Sequence, residues 1–243
     1  MLTVNAASGF GSGGAAATDE YWSDVVLLAN CDGADGSTTF TDLSDSEHTL
    51  TAIGNTEVDT AQKAFGTGSA FMDGGAASSA IGGIDSADFD FGSGDFTLEV
   101  AARIQTINGE NTFFGKADGG GGTREWLFQI NTSGKLLFQY YVSGWTTKSV
   151  DWSPSLDTWY FVAVSRIGND LRFFIDGTQQ GATQDVTGVD IDAMGSPFFI
   201  GSYGNVATPA AAWNGWLDDP RITKGTGRYS GNYDVPTAPW PTG

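Results

Sequence analysis

Residues 157–181, DTWYFVAVSRIGNDLRFFIDGTQQG, constrain the fold of this chain more than any other stretch. In the first half Trp159, Phe161 and Ala163 alternate with Tyr160, Val162 and Val164, so both faces are apolar. A strand of that kind needs a covering layer on each side. The pattern predicts a central strand, with Trp159 in the core. Gly168-Asn169-Asp170 breaks the run. A second strand follows over Leu171 to Ile175, with Arg172 facing away from Leu171 and Phe173. Asp176-Gly177, a dipeptide suited to a tight hairpin turn, ends it. Turn-closed hairpins of aromatic and β-branched residues are the units of antiparallel sandwiches.

The rest of the chain repeats this grammar. Glycine makes up 35 of 243 residues, and turns rich in Gly, Asp, Asn, Ser and Thr separate short apolar runs. No helical periodicity reaches three turns. The fold class expected is all-β, a two-sheet antiparallel β-sandwich. Further strands are read at 25–31, 49–54, 57–60, 69–72, 79–82, 96–105, 112–116, 125–131, 135–142, 146–152, 178–186, 197–202 and 215–223, with a polar loop at 33–48. In the 96–105 strand Phe96, Leu98, Val100, Ala102 and Ile104 share one face, and Glu99 and Arg103 the other. Residues 1–20, small and glycine-rich, read as a flexible N-terminal arm, and 21–243 as one domain. The proline-containing tail, 224–243, is expected to pack back through Tyr229, Tyr233 and Trp240.

The formal charge is −18, and 23 of the 29 acids are aspartate. Such a surface repels nucleic acid and anionic membranes, which argues against both as partners. Cys31 is the single cysteine, so no internal disulfide is possible, and its apolar setting predicts burial. The first residues lack the basic flank and apolar stretch of a secretory signal, and nothing approaches a transmembrane span. Synthesis and folding in a cytosol are expected.

Five segments in order resemble the laminin-G-like, concanavalin-A-like jelly-roll family: VVLLANCDG (25–33), AFGTGSAFMDG (64–74), SADFDFGSGDFTLEVAARI (86–104), the 157–177 hairpin, and WNGWLDDPRITKGTGRYSGNYDVPTAPWP (213–241). The likeness covers about residues 22–242. In place of an apolar residue after the paired acids the chain has Pro220, which cannot donate a ladder hydrogen bond, so the last strand should be bulged or at an edge. RITKG, RY and PTAPWP (221–241) are similar to the form of this domain in tailed-phage particles. That resemblance implies a virion protein, on capsid or tail, docked on other virion proteins through its N-terminal arm. It also implies many copies per particle and adhesion to cell-surface glycans. A free lectin-like module is the rival reading, and a glucanase-type hydrolase a third.

The family resemblance further implies one structural Ca²⁺ between the opening and closing strands, with Asp32, Asp218 and Asp219 as the matching side chains; calcium takes six to eight oxygens. For glycan contact, sugars stack on flat aromatic faces, and Trp145, Trp152, Tyr203, Trp213 and Trp216 are read as exposed aromatics near loops. Catalysis is not expected. No two of the six glutamates share a strand at i, i+2 or i, i+4, and the one histidine, His48, has no nucleophile motif beside it.

Overall fold

A computed structural model of the chain describes residues 18–75, 79–119, 122–205 and 207–243. Its strands run in order β1 (Val25–Asn30), β2 (Thr41–Asp42), β3 (Ala52–Ile53), β4 (Glu57–Asp59), β5 (Ser69–Asp73), β6 (Ala80–Ile84), β7 (Phe96–Ile104), β8 (Glu110–Ala117) and β9 (Arg124–Asn131). They continue with β10 (Lys135–Tyr141), β11 (Trp145–Asp151), β12 (Trp159–Ile167), β13 (Asp170–Ile175), β14 (Thr178–Asp185), β15 (Phe198–Ile200), β16 (Tyr203–Asn205), β17 (Thr208–Ala210) and β18 (Asn214–Lys224). One sheet of nine strands is ordered β14-β13-β12-β7-β18-β1-β2, with β5 paired to β18 and β4 to β5. A second, of seven, is ordered β11-β10-β9-β8-β15-β6-β3, and β16-β17 form a separate hairpin. The chain is the antiparallel two-sheet sandwich that its alternation predicted.

The core is the set of side chains that alternation turns inward. From the first sheet come Phe96, Leu98, Val100, Val162, Val164, Leu171 and Phe173; from the second come Phe114, Trp126, Phe128, Phe138 and Phe198. Rings meet across the gap, Phe96 to Phe138 at 5.2 Å and Phe128 to Phe173 at 6.5 Å between centroids. Each such aromatic contact adds about 0.5–1.5 kcal/mol beyond the area it buries. The turn after β13 has Asp176 at φ 47° and Gly177 at φ 71°, the positive pair that a two-residue hairpin with matching twist requires.

β12 is central, between β13 and β7. Trp159 corrects one expectation: it is half-buried and lies outside the inter-sheet core. Val162 and Val164 point inward, so Trp159, Phe161 and Ala163 face the outer side. That side has its own cover. Phe65 packs on Phe161 at 5.3 Å, and the C-terminal segment lies over Phe174 through a stacked pair, Tyr229 and Tyr233, 3.7 Å apart. Trp240 sits 3.7 Å above the Arg221 guanidinium and donates Nε1–H to the Asp219 carbonyl at 3.1 Å.

Beneath this cover is a buried ion network. Arg221 bonds Glu99 and Asp19, both at 2.8 Å, Arg228 grips Asp19 through two nitrogens at 2.9 and 2.8 Å, and the Tyr229 hydroxyl donates to Glu99 at 2.6 Å. The expected arm falls mostly on residues 1–17, which lie outside the described residues. Asp19, at its end, is part of the domain. β18 is bulged between Asp218 and Arg221, around Pro220, yet lies mid-sheet between β7 and β1. The bulge absorbs the missing donor of the proline. The 33–48 loop carries β2, which two residues are too short to announce, and no sequence signal marked β16 and β17.

Candidate functional site

The outer face of the seven-stranded sheet carries a cleft of about 320 Å³. Leu136, Phe138 and Tyr140 of β10 and Trp126, Phe128 and Ile130 of β9 point into the core. Leu127, Gln139 and Tyr141 therefore face outward. Cross-strand register aligns Gly115, Leu127, Gln139 and Thr147 in one row across β8, β9, β10 and β11. The cleft follows that row, with Trp145 on the edge strand and Tyr203 of β16 among its walls, and Arg124, Gln139, Leu127 and Glu110 between.

Each wall has a local cause. Trp145 pairs with Tyr141 across the β10–β11 turn and meets its ring edge-on at 5.8 Å, while 39% of the residue stays exposed. Gly115 makes room for Tyr203: a Cβ there would come within 2.6 Å of the Tyr203 Cβ and of the Ser202 carbonyl oxygen. Gln139 donates its amide to Thr147 Oγ1 at 3.1 Å. The Arg124 guanidinium lies 5.8 Å from the Tyr141 ring centre, so its fork is steered by a cation–π contact. Burial, and then the Glu110 charge, raise the Tyr203 hydroxyl above its ordinary pKa, so it stays a donor at neutral pH. Flat rings beside a fork of donors, an amide and a carboxylate are what a hydroxyl-rich, partly apolar ligand needs.

Of the five aromatics singled out in the sequence, the structure brings Trp145 and Tyr203 to this cleft. The exposure expected of the other three does not hold. Trp213 is fully buried, 4.6 Å from Phe113, and Trp152 is 8% exposed, edge-on to Tyr160 at 5.4 Å. Trp216 is 7% exposed, packed on Phe71, with its Nε1–H on Asp59 at 2.8 Å. Trp152 and Trp213 join the inter-sheet core, while Trp216 is covered on another side by Phe71 and the Arg103 guanidinium. Arg124, Gln139 and Gly115 were missed; alternation in β10 marks Gln139 as outward, whereas Arg124 shares the parity of inward Trp126 and faces the cleft only because the β8–β9 register shifts between Lys116 and Ala117.

Asp32, Asp218 and Asp219 do come close enough to repel one another. Burial first, then the Asp219 and Asp32 charges, push Asp218 up to about 7; burial, then Asp32, push Asp219 to about 6. Their oxygens, however, serve the 64–68 loop. Asp218 accepts the Ala64 and Phe65 amides at 2.8 and 3.0 Å, and Asp32 accepts Thr67 Oγ1 at 3.0 Å, the Gly68 amide at 3.1 Å and the Thr67 amide. Among the described residues no three carboxylate, thiol or imidazole groups are arranged to hold a metal ion. In this arrangement the carboxylates of Asp32 and Asp218 tie the 64–68 loop to β18 and to the end of β1. Cys31 is buried beside them, as expected, its thiol raised by burial and by the Asp218 charge. No helix among the described residues is long and apolar enough to cross a membrane.

Comparison with known proteins agrees with this architecture. The profile of the concanavalin A-like lectin/glucanases superfamily matches residues 73–226, more than half of the chain. No curated protein sequence matches. Among solved structures, the binding domain of Paraclostridial Mosquitocidal Protein 1 superposes with a TM-score of 0.64 at 14% identity, over 85% of this chain and 50% of that one. The botulinum neurotoxin serotype G binding domain gives 0.62 at 13%, over 84% and 48%. The chain thus spans about half the length of these toxin domains. Domain 4 of AbnA, an extracellular GH43 arabinanase of Geobacillus stearothermophilus solved with arabinotriose, gives 0.59 at 16%, over 83% and 93%. At such identities the likeness is one of fold. The sandwich, the order of its strands and the family match together place this chain in the concanavalin A-like lectin/glucanases superfamily, as a laminin-G-type jelly roll.

Proposed function

We propose that the chain is a non-catalytic glycan-binding module whose ligand lies in the cleft between Trp145 and Tyr203. The observation that carries this reading is the cleft itself: two aromatic side chains, the Arg124 fork and the Gln139 amide on one outward face. The AbnA domain supports it, being of similar extent and solved with an oligosaccharide. Two glutamates that could serve hydrolysis are engaged elsewhere: Glu99 is bound by Arg221 and Tyr229, and Glu125 by Lys116. The RITKG, RY and PTAPWP segments support placing the module on a phage particle, as a capsid-decorating or tail protein. There the N-terminal segment would dock on other virion proteins, and many weak sites would sum to adhesion.

Glycan-array binding by the intact chain, followed by calorimetry on any hit, tests the site. Trp145→Ala should weaken binding about tenfold or more, from a lost stacking contact of about 1.5 kcal/mol. Binding to no glycan, or binding indifferent to Trp145 and Tyr203, overturns the reading. Imaging of the native assembly tests the virion role separately: the chain should appear in ordered copies on a shell or tail, and a free monomer would favour a stand-alone lectin.

A further inference from the structure

Lys116 of β8 is fully buried, which lysine almost never is unless paired. Its Nζ lies 3.0 Å from Glu125 Oε1, 3.1 Å from Asp90 Oδ1 and 3.4 Å from Asp85 Oδ1, and donates to the Ser196 carbonyl at 3.0 Å. Three carboxylates thus face one ammonium. Glu125, also fully buried, loads a single oxygen: Oε1 takes Lys116 and the Met194 and Ser196 amides at 3.0 and 2.9 Å, while Oε2 is buried with no hydrogen-bond partner. Asp90 Oδ1 is buried too, with the Lys116 ammonium as its ion-pair partner. Asp85 is different, its side chain 60% exposed.

The surroundings hold these atoms still. Asp90 sits between Phe89, stacked on Phe198 at 4.1 Å, and Phe91, 4.9 Å from Trp126. Trp126 Nε1–H donates to the Phe89 carbonyl at 2.9 Å. Two carboxylates are thus held within 3.1 Å of one amine in a ring-walled corner, Lys116 and Glu125 fully buried and the Asp90 side chain 29% exposed, the positioning that turns a slow bimolecular step into an intramolecular one. Burial raises the Glu125 carboxyl. On Lys116 burial presses toward the neutral amine, the carboxylate charges press back harder, and the net direction is upward. A proton passing from the Lys116 ammonium to Asp90 Oδ1, its ion-pair partner at 3.1 Å, leaves a neutral amine beside a neutral carboxyl, with Glu125 still a carboxylate able to act as base. The reactive form is the minor one, and a bond made once per chain needs no more.

We propose that Lys116 and Asp90 join in an intramolecular isopeptide bond, with Glu125 as the catalytic residue. The Nζ lone pair attacks Asp90 Cγ in its protonated carboxyl form, and a C–N bond forms. Glu125 takes a proton from the nitrogen and gives one to the departing hydroxyl; the C–O bond breaks and water leaves. An ammonium and a carboxylate thereby become an amide and one water, Glu125 is regenerated, and no oxidant or co-reactant is consumed. The bond would tie the 85–95 loop to β8 and restrict the unfolded chain as a disulfide does in a protein with one cysteine.

Intact-mass spectrometry of the full chain under denaturing conditions reads the reaction directly. The wild-type chain should weigh one water, about 18 Da, less than its sequence, and fragmentation should join the Lys116 and Asp90 peptides. Glu125→Gln and Lys116→Met should keep the full sequence mass. Wild-type chain at full mass after prolonged incubation overturns the proposal. So does a water loss that persists in Lys116→Met, as cyclisation at an aspartate would give, and so does a cross-link mapped to Asp85.

Discussion

At the scale of residues, the outward or inward turn of a ring decides what it can do. Trp145 and Trp213 have the same chemistry, and only the first meets solvent. Trp213→Ala should destabilise the fold by about 3–5 kcal/mol, the cost of emptying a core site. Trp145→Ala should leave the melting temperature nearly unchanged and affect ligand binding alone. The Asp218 and Asp219 carboxyls make a second residue-scale prediction. Both have folded-state values above their unfolded ones, so the native chain holds these protons more tightly. Their stabilising contribution is complete below about pH 4, the unfolded carboxylate range, and is lost as pH rises through about 6 and about 7. Melting temperature should fall between pH 5 and 8 on their account, and Asp218→Asn should flatten that fall. A chelator separates this from the calcium expectation: a chelator-induced drop in melting temperature would show that a cation relieves the charge instead.

At the scale of elements, the edges of the domain are held by charge rather than by strands. Asp19 precedes β1, yet it satisfies Arg221 and Arg228, each nearly buried. Removing one partner of a buried ion network leaves the others uncompensated, so Asp19→Ala should cost about 3–5 kcal/mol, read by denaturant unfolding. Deleting residues 1–17 should leave stability intact, and deleting 1–20 should lower it by a similar amount to Asp19→Ala. Equal stability of the two deletions would show that the network contributes little. The C-terminal segment matters in the same way, since Tyr229, Tyr233 and Trp240 cover the outer face of the nine-stranded sheet.

At the scale of the whole molecule, the two faces of the sandwich have different duties. The outer face of the nine-stranded sheet is closed by Asp19 and the C-terminal segment, while that of the seven-stranded sheet carries the cleft. A ligand in the cleft is thus presented away from the side where the chain enters the domain at Asp19. Anchoring through the N-terminal segment would leave the cleft facing outward, which fits the adhesive role proposed here. Fusing a bulky domain before residue 18 should leave glycan affinity unchanged, and a tenfold loss on fusion would contradict that arrangement.

Period-two alternation, turn dipeptides and the ordered family segments determined the sandwich from the sequence alone, because strand faces and hairpin turns are local properties. Alternation also predicted the inward row of β7 and the central place of β12, and Pro220 announced the bulge in β18. Tertiary structure alone decided which rings stayed outside, since exposure of Trp145 and burial of Trp152, Trp213 and Trp216 depend on what other strands and loops place over them. It also decided the partners of charge. Glu99 and Arg221 are 122 positions apart and Asp19 and Arg228 are 209. No spacing rule reaches that far, and only the closing of β18 between β1 and β7 brings such residues into one network.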